Sequence, residues 1–267
     1  MSKIVFDIGG TNMRVARVEG ESIANVLKLP TPHNATKGVE TLIEVIRQIS
    51  SDDEIEAVFG GMAGVISPEG TVLKSPNLPG WDGFELGKRL RGEFDGNVSI
   101  RNDAALAGLA EAVRGAGRGK SIVAYLGVGT GVGGVRIVGG KIDSASSGFE
   151  PGHHIIDVSK KESFENKVSG RAIKEKYGKR LKELEKNVYD ELVTALATGV
   201  YNVILLWSPE VIILGGPLID ENEGFNIGDI QREIEKLPKV FPVLPELRKS
   251  VLRDEAGLLG AMIISEK

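Results

Sequence analysis

The chain has 267 residues, 41% of them hydrophobic and 26% charged, with a net charge of −4. This suits one large or two moderate soluble globular domains, and it argues against non-specific nucleic-acid binding, which needs a basic surface. No cysteine is present, which removes disulfides and thiol catalysis, and no apolar run reaches the roughly 18 residues that a membrane-spanning helix needs. The chain goes straight into a strand, so a cytoplasmic protein without membrane contact is the expectation.

In chain order, alternating and apolar runs predict strands near 3–8, 13–19 and 22–29. A helix follows near 37–50, with Val39, Leu42, Ile43, Ile46 and Ile49 on one face. Next come a strand near 55–60 and a Pro/Gly-rich stretch from Gly64 to Gly83. A short helix near 84–93, a strand at 97–101 and a helix at 103–114 close the first half. The second half repeats the plan: strands near 121–127, 133–138 and 141–144, an irregular region at 145–160, then helices. The longest helix is predicted over 181–207, with a core stripe of Leu184, Val188, Leu192, Ala195, Leu196, Val200, Val203 and Trp207. A strand at 210–214 ends in Gly215-Gly216, and a last apolar helix starts near Ala256. The division between halves is placed at residue 115, giving domains 1–115 and 116–267, with the last helix free to pack back on the first.

Two glycine-rich turns carry most of the information. Asp7-Ile8-Gly9-Gly10-Thr11-Asn12 joins the first two strands. Leu126-Gly127-Val128-Gly129-Thr130-Gly131-Val132-Gly133-Gly134 joins the corresponding strands of the second half. Glycine lets backbone N–H groups approach phosphate oxygens, and Asp7 is placed to hold a cation directly or through water. Alone, the first turn equally describes an ordinary Gly-Gly hairpin. The repeat about half a chain later favours the phosphate reading. Gly129-x-Gly131-x-x-Gly134 also matches a dinucleotide fingerprint, with Glu150 near the ribose-carboxylate distance. That fingerprint must open a helix, and the continuation here reads as a strand.

Further candidates lie between these turns and after them. Asn102-Asp103 sits where a strand gives way to a helix. Asp at such a place is ordinarily a cap, but a strand end is also the ligand edge of an α/β sheet. Phosphoryl transfer to a hydroxyl needs one carboxylate within reach of the attacking oxygen, and Asp103 is the candidate base. Glu150 and His153 flank a Pro-Gly turn suited to hydrogen-bonding the hydroxyls of a small polar ligand, and His154 reads as structural or solvent-facing. By spacing alone, Glu165 is a helix-surface residue. Asn77 lies in a Pro-braced loop with Trp81, which is either an aromatic platform for a sugar or core, with core the favoured reading.

Seven segments in register resemble the ROK family of sugar kinases over essentially the whole chain. They are DIGGTNMRVA from Asp7, GGMAGVISPEG from Gly60, SPNLPGW from Ser75, RNDAALAGLAEA from Arg101, YLGVGTGVGGVRIVGG from Tyr125, FEPGHH from Phe149, and Glu165 to Gly170. The resemblance implies an α/β fold of two actin-like (ribonuclease H-like) domains with duplicated β-β-β-α-β-α units. It implies an ATP-dependent kinase of a hexose or N-acetylhexosamine, most simply at the 6-hydroxyl, with Mg²⁺, sugar bound between the domains, and a homodimer. By position, Asp7, Gly9, Gly10, Thr11 and Asn12 resemble the first phosphate loop. Gly127, Gly129, Thr130 and Gly131 resemble the second, and Gly215 and Gly216 the adenosine-side turn. Asp103 resembles the catalytic base, and Gly64, Asn77, Asn102, Glu150, His153 and Glu165 the sugar-binding set.

One departure is large. The family commonly carries a structural zinc on the His of its Glu-x-Gly-His segment and three nearby cysteines. Here His153 is present and no cysteine exists, so no zinc is expected. The alternative to a kinase is a sugar-sensing ROK regulator. Such regulators carry an N-terminal DNA-binding module, for which no room is expected before the first strand.

Overall fold

The apolar run Ile4-Val5-Phe6 becomes the fully buried centre of the first strand, β1 (Ser2–Ile8). The computed structural model describes residues 1–51, 53–94, 96–219 and 223–266. Contacts divide the chain into one unit of residues 1–110 with 254–267 and a second of residues 111–253. The division falls at residue 110 rather than 115, and the chain's last helix groups with the first unit.

In the first unit, β1 turns through Gly9 and Gly10 into antiparallel β2 (Asn12–Glu19), which pairs with β3 (Ser22–Pro30). Helix α1 (Ala35–Ser50) starts where the Asn34 carboxamide accepts from Lys37 N at 3.0 Å. Its stripe of Val39, Leu42, Ile43, Ile46 and Ile49 is buried, an upper estimate of roughly 10 kcal/mol of apolar transfer. The helix carries the chain over to β4 (Ile55–Met62), parallel to β1. A small hairpin, β5 (Val65–Ile66) and β6 (Val72–Lys74), interrupts the Pro/Gly-rich stretch. Helix α2 (Leu86–Arg91) then leads to β7 (Asn97–Asn102), parallel to β4, and α3 (Asp103–Val113) follows without a gap. The sheet order is β3-β2-β1-β4-β7. Trp81 is fully buried, and its indole N–H donates to Pro32 O at 2.9 Å, so it is core.

The second unit repeats that order. Strands β8 (Ile122–Val128), β9 (Val132–Val138) and β10 (Lys141–Ile142) are antiparallel. β10 runs only to Ile142 rather than 144, although Asp143 N still donates to Arg136 O at 3.0 Å in the same register and its carboxylate pairs with the Arg136 guanidinium. The region expected to be irregular holds a two-stranded hairpin, β11 (Ile155–Asp157) with β12 (Glu162–Ser163). Two short helices follow, α4 (Phe164–Val168) and α5 (Gly170–Tyr177), capped by the hydroxyls of Ser163 and Ser169. Helix α6 (Lys186–Trp207) starts five residues later than predicted. Glu183 accepts from Arg180 N and closes a separate turn at 181–183, which leaves Leu184 extended, although it still packs on the core. β13 (Val211–Gly215) pairs with β8, and α7 (Ile227–Ile234) leads to β14 (Glu246–Lys249). The sheet order is β10-β9-β8-β13-β14.

The final helix, α8 (Ala256–Ser265), packs Leu258, Ala261 and Met262 with Val5, Ala57, Phe59 and Leu106 of the first unit. Among the described residues, no helix is long and apolar enough to cross a membrane.

Candidate active site

In the first unit, the candidate residues gather at the carboxyl ends of β1, β4 and β7. The β1–β2 turn is held open by Thr31, whose hydroxyl donates to Gly9 O at 2.7 Å and whose N–H donates to Thr11 O at 3.0 Å. Gly9 N donates to Asn12 O at 3.0 Å, which closes the turn. Among the described residues nothing accepts from the N–H groups of Gly10 and Thr11. Asn77 packs directly against Gly10, where a Cβ would lie 2.8 Å from Asn77 Cβ. Asn102 caps α3 by accepting from Ala105 N at 2.9 Å, while its amide nitrogen donates to Gly64 O at 2.9 Å. The cap is therefore Asn102, which leaves Asp103 as the first helical residue. One Asp103 oxygen accepts from Ala104 N at 2.8 Å.

Both carboxylates here hold protons more tightly than usual. Burial raises the pKa of Asp103, partly offset by the Ala104 N–H. Burial also lifts Asp7, to about 7, with a further push from the Asp103 charge and a partial offset from Arg14. Arg14 lies 3.3 Å from Asp7 and 2.9 Å from Asp254. Sequence reasoning missed Arg14, yet the signal was available: in the β1–β2 ladder Asp7 and Arg14 are direct cross-strand partners. A depression of about 480 Å³ lined by Arg47, Asp53, Glu56 and Glu93 opens at the amino ends of the strands, away from these groups.

In the second unit, Gly129, Thr130 and Gly131 form the β8–β9 turn, closed by Gly129 N donating to Gly131 O at 2.9 Å. Among the described residues nothing accepts from the Thr130 and Gly131 N–H groups. Gly127 pairs in register with Gly215, and Gly216, at φ 90°, starts the next turn, where Leu218 N donates to Val128 O at 3.1 Å. The two glycine turns of this unit thus stand side by side.

Glu150, Pro151, Gly152 and His153 form a short helical turn that abuts Val132. His153 Nδ1 lies 3.4 Å from the Glu150 carboxylate, and the imidazole is mostly exposed. His154 is half-buried against Phe164, with ring centroids 5.2 Å apart, and its Nδ1 lies 2.5 Å from Pro151 O. Burial lowers its pKa. Glu165 is not the surface residue that spacing alone suggests. It is 8% exposed, with one carboxylate oxygen accepting from Val132 N at 2.7 Å and the other bound to Arg171. Arg171 carries no sequence signal of its own.

A family model described as "ROK family" matches residues 3–267. A glucokinase of Thermotoga maritima is 27% identical, the match covering 98% of this chain and 96% of that protein. An N-acetyl-D-glucosamine kinase of Photobacterium profundum is also 27% identical, over 98% of each. The crystal structure of a ROK family glucokinase from Streptomyces griseus in complex with glucose and AMPPNP superposes with a TM-score of 0.78 at 25% identity, covering 99% of both chains. The duplicated sheets are those of the actin-like ATPase fold, and the chain belongs to the ROK family.

Proposed function

We propose that this ROK chain transfers the γ-phosphoryl group of ATP to the 6-hydroxyl of a hexose or N-acetylhexosamine. The observation that carries this reading is Asp103, a half-buried carboxylate of raised pKa at the strand-to-helix junction beside Asn102 and Asp7. The relatives named as glucokinase and N-acetyl-D-glucosamine kinase support the substrate class.

Asp103 accepts the hydroxyl proton as the new O–P bond forms. The bond to the leaving phosphate oxygen breaks, and ADP departs with that electron pair. The N–H groups of Gly10, Thr11, Thr130 and Gly131 are donors for phosphate oxygens. Asn12 and Gly9 shape the first turn, Gly127 and Gly129 the second, and Gly215 and Gly216 the adenosine side. Asp7 is a hard oxygen donor with its side chain 13% exposed beside a second carboxylate, a set that suits Mg²⁺ held through water. Bound Mg²⁺ neutralises charge on the phosphate oxygens. The hydroxyl-binding residues are Gly64, Asn77 and Asn102 in the first unit and Glu150 and His153 in the second. Glu165 joins them by resemblance, although its carboxylate faces the second glycine turn.

An ADP-release assay over glucose, fructose, mannose, N-acetylglucosamine and N-acetylmannosamine tests the reading, with the phosphorylated position read by NMR. One or more sugars should drive ADP release and yield a 6-phosphate. Sugar binding without ADP release for any of them would instead indicate a sensor.

A further inference from the structure

Between β3 and α1 the chain reads Pro30-Thr31-Pro32-His33-Asn34. Two prolines fix φ on either side of Thr31, and the second also confines Thr31 to extended backbone. The segment is anchored at both ends, by the pairing of Pro30 with Asn12 and by the Asn34 cap of α1. It is a short, stiff strap.

Its two edges grip different parts of the site. On one edge the buried Thr31 donates its hydroxyl to Gly9 O at 2.7 Å and its N–H to Thr11 O at 3.0 Å. Gly9 C=O and Gly10 N–H share one planar trans peptide unit, so the bond that fixes the carbonyl also fixes where the Gly10 N–H points. On the other edge Pro32 O accepts from the Trp81 indole N–H at 2.9 Å. Gly80 comes so near that a Cβ there would lie 2.3 Å from His33 O. The Trp81 ring is locked in turn, since it fills the space that a Cβ on Gly38 would take, 2.1 Å away. Trp81 N donates to Leu78 O and Leu78 N to Ser75 O, so the turns that carry Asn77 run directly into the gripped residues.

We propose that Thr31–His33 is a common brace for the first phosphate turn and the loop that carries Asn77. Thr31 is the positioning residue on the nucleotide side, and Gly80 and Trp81 are those on the sugar side. This rests on the reading of the β1–β2 turn as a phosphate loop and of Asn77 as a sugar-binding residue.

The test compares Thr31→Val, Thr31→Ser and Gly80→Ala. The readouts are the Kd of Mg–AMPPNP and the Kd of the best-binding sugar of the panel, each measured by calorimetry without the other. Thr31→Val keeps the side chain's shape and removes the donor. Its Mg–AMPPNP Kd should rise about tenfold while its sugar Kd moves by less than about twofold. Thr31→Ser keeps the hydroxyl and should stay within about twofold of wild type for both ligands. Gly80→Ala presses a methyl group on His33 O and shifts the strap from the sugar side. It should weaken sugar binding and also raise the Mg–AMPPNP Kd, about threefold, although residue 80 lies outside the phosphate turn.

An unchanged Mg–AMPPNP Kd in Gly80→Ala would overturn the common brace, whatever happens to the sugar. So would a Thr31→Ser protein as impaired as Thr31→Val, or equal losses of both ligands in Thr31→Val, since those are the marks of general loosening. If Gly80→Ala fails to fold by thermal melt, Trp81→Phe answers the same question, because it removes the indole N–H and keeps a ring in the core. A wild-type protein that binds no Mg–AMPPNP refutes the phosphate-loop reading and the brace with it. Wild-type binding that Thr31→Val leaves unchanged refutes only the brace.

Discussion

Asp7 and Asp103 stand on either side of β4, one near the carboxyl end of β1 and the other just past the end of β7, and the Asp103 charge raises the proton affinity of Asp7. Two carboxylates at the ends of strands that flank a common neighbour, in a poorly solvated place, oppose each other's ionisation.

Replacing Asp103 by Asn keeps the side chain's shape and one acceptor for Ala104 N, but removes the ability to take a proton. The expected result is a kcat lower by about 10²–10⁴ with sugar Kd near wild type. Steady-state kinetics paired with calorimetry check this, and near-normal kcat would remove Asp103 from the role of base.

The raised pKa values make two statements about pH. Asp103 must be ionised to act, so the acid limb of kcat/KM should lie above the usual carboxylate range. Stability follows from the same shifts, because both folded-state pKa values lie above their unfolded values. These groups stabilise the metal-free fold fully below about pH 4, and that contribution is lost as pH rises through about 7 for Asp7. Melting temperatures in chelator at pH 5 and pH 8 should differ more for the wild type than for Asp7→Asn. Equal differences would show that Asp7 titrates normally.

Val at Gly10 would drive a side chain into Asn77, and Val at Gly129 would meet Pro217, 3.0 Å from the position of a Cβ. Each variant should raise KM for ATP or abolish turnover, while sugar binding without nucleotide stays close to wild type in the Gly129 variant, whose side chain meets Pro217 rather than a sugar-binding residue. Unchanged nucleotide binding in both would refute the two-turn model.

Glu111 is fully buried and tied to four donors. One oxygen accepts from Ser250 Oγ, Val251 N and Leu252 N, and the other from Ala116 N. Alanine there leaves three backbone N–H groups without their acceptor. A stability loss of about 3–5 kcal/mol is expected by denaturant unfolding. A loss below about 1 kcal/mol would mean that water replaces the carboxylate.

Glu150 and His153 should affect sugar more than nucleotide. Alanine at either position should weaken sugar binding by about 1–3 kcal/mol, since a ligand hydroxyl loses its partner. Zinc analysis of the purified protein should show no stoichiometric metal, because the donor set lacks thiolates. In this chain His153 faces Glu150, and the segment after it is held by the β11–β12 ladder. One zinc per chain, or an unchanged sugar Kd for His153→Ala, would contradict this paragraph.

The sequence by itself determined the duplicated strand plan, both glycine turns, the buried Trp81, and the strand-to-helix junction at Asn102-Asp103. Each of these is a local signal: an apolar run, an alternation, a turn residue or a cap, all set by neighbours within a few positions. Strand β14, with Leu247 as its one buried apolar side chain, and helix α7, only eight residues long, went unseen because their stability comes from packing on β13 and α6. Tertiary structure alone decided the electrostatics. Asp7 is lifted by burial and then by a charge nearly a hundred residues away in sequence, and no periodicity encodes either. Glu165 reads as a surface residue along its own helix, and it is buried only because the β8–β9 turn and Arg171 close over it. Burial and charge pairing depend on which segments meet in space, and that is fixed by the packed sheet and helices rather than by local sequence.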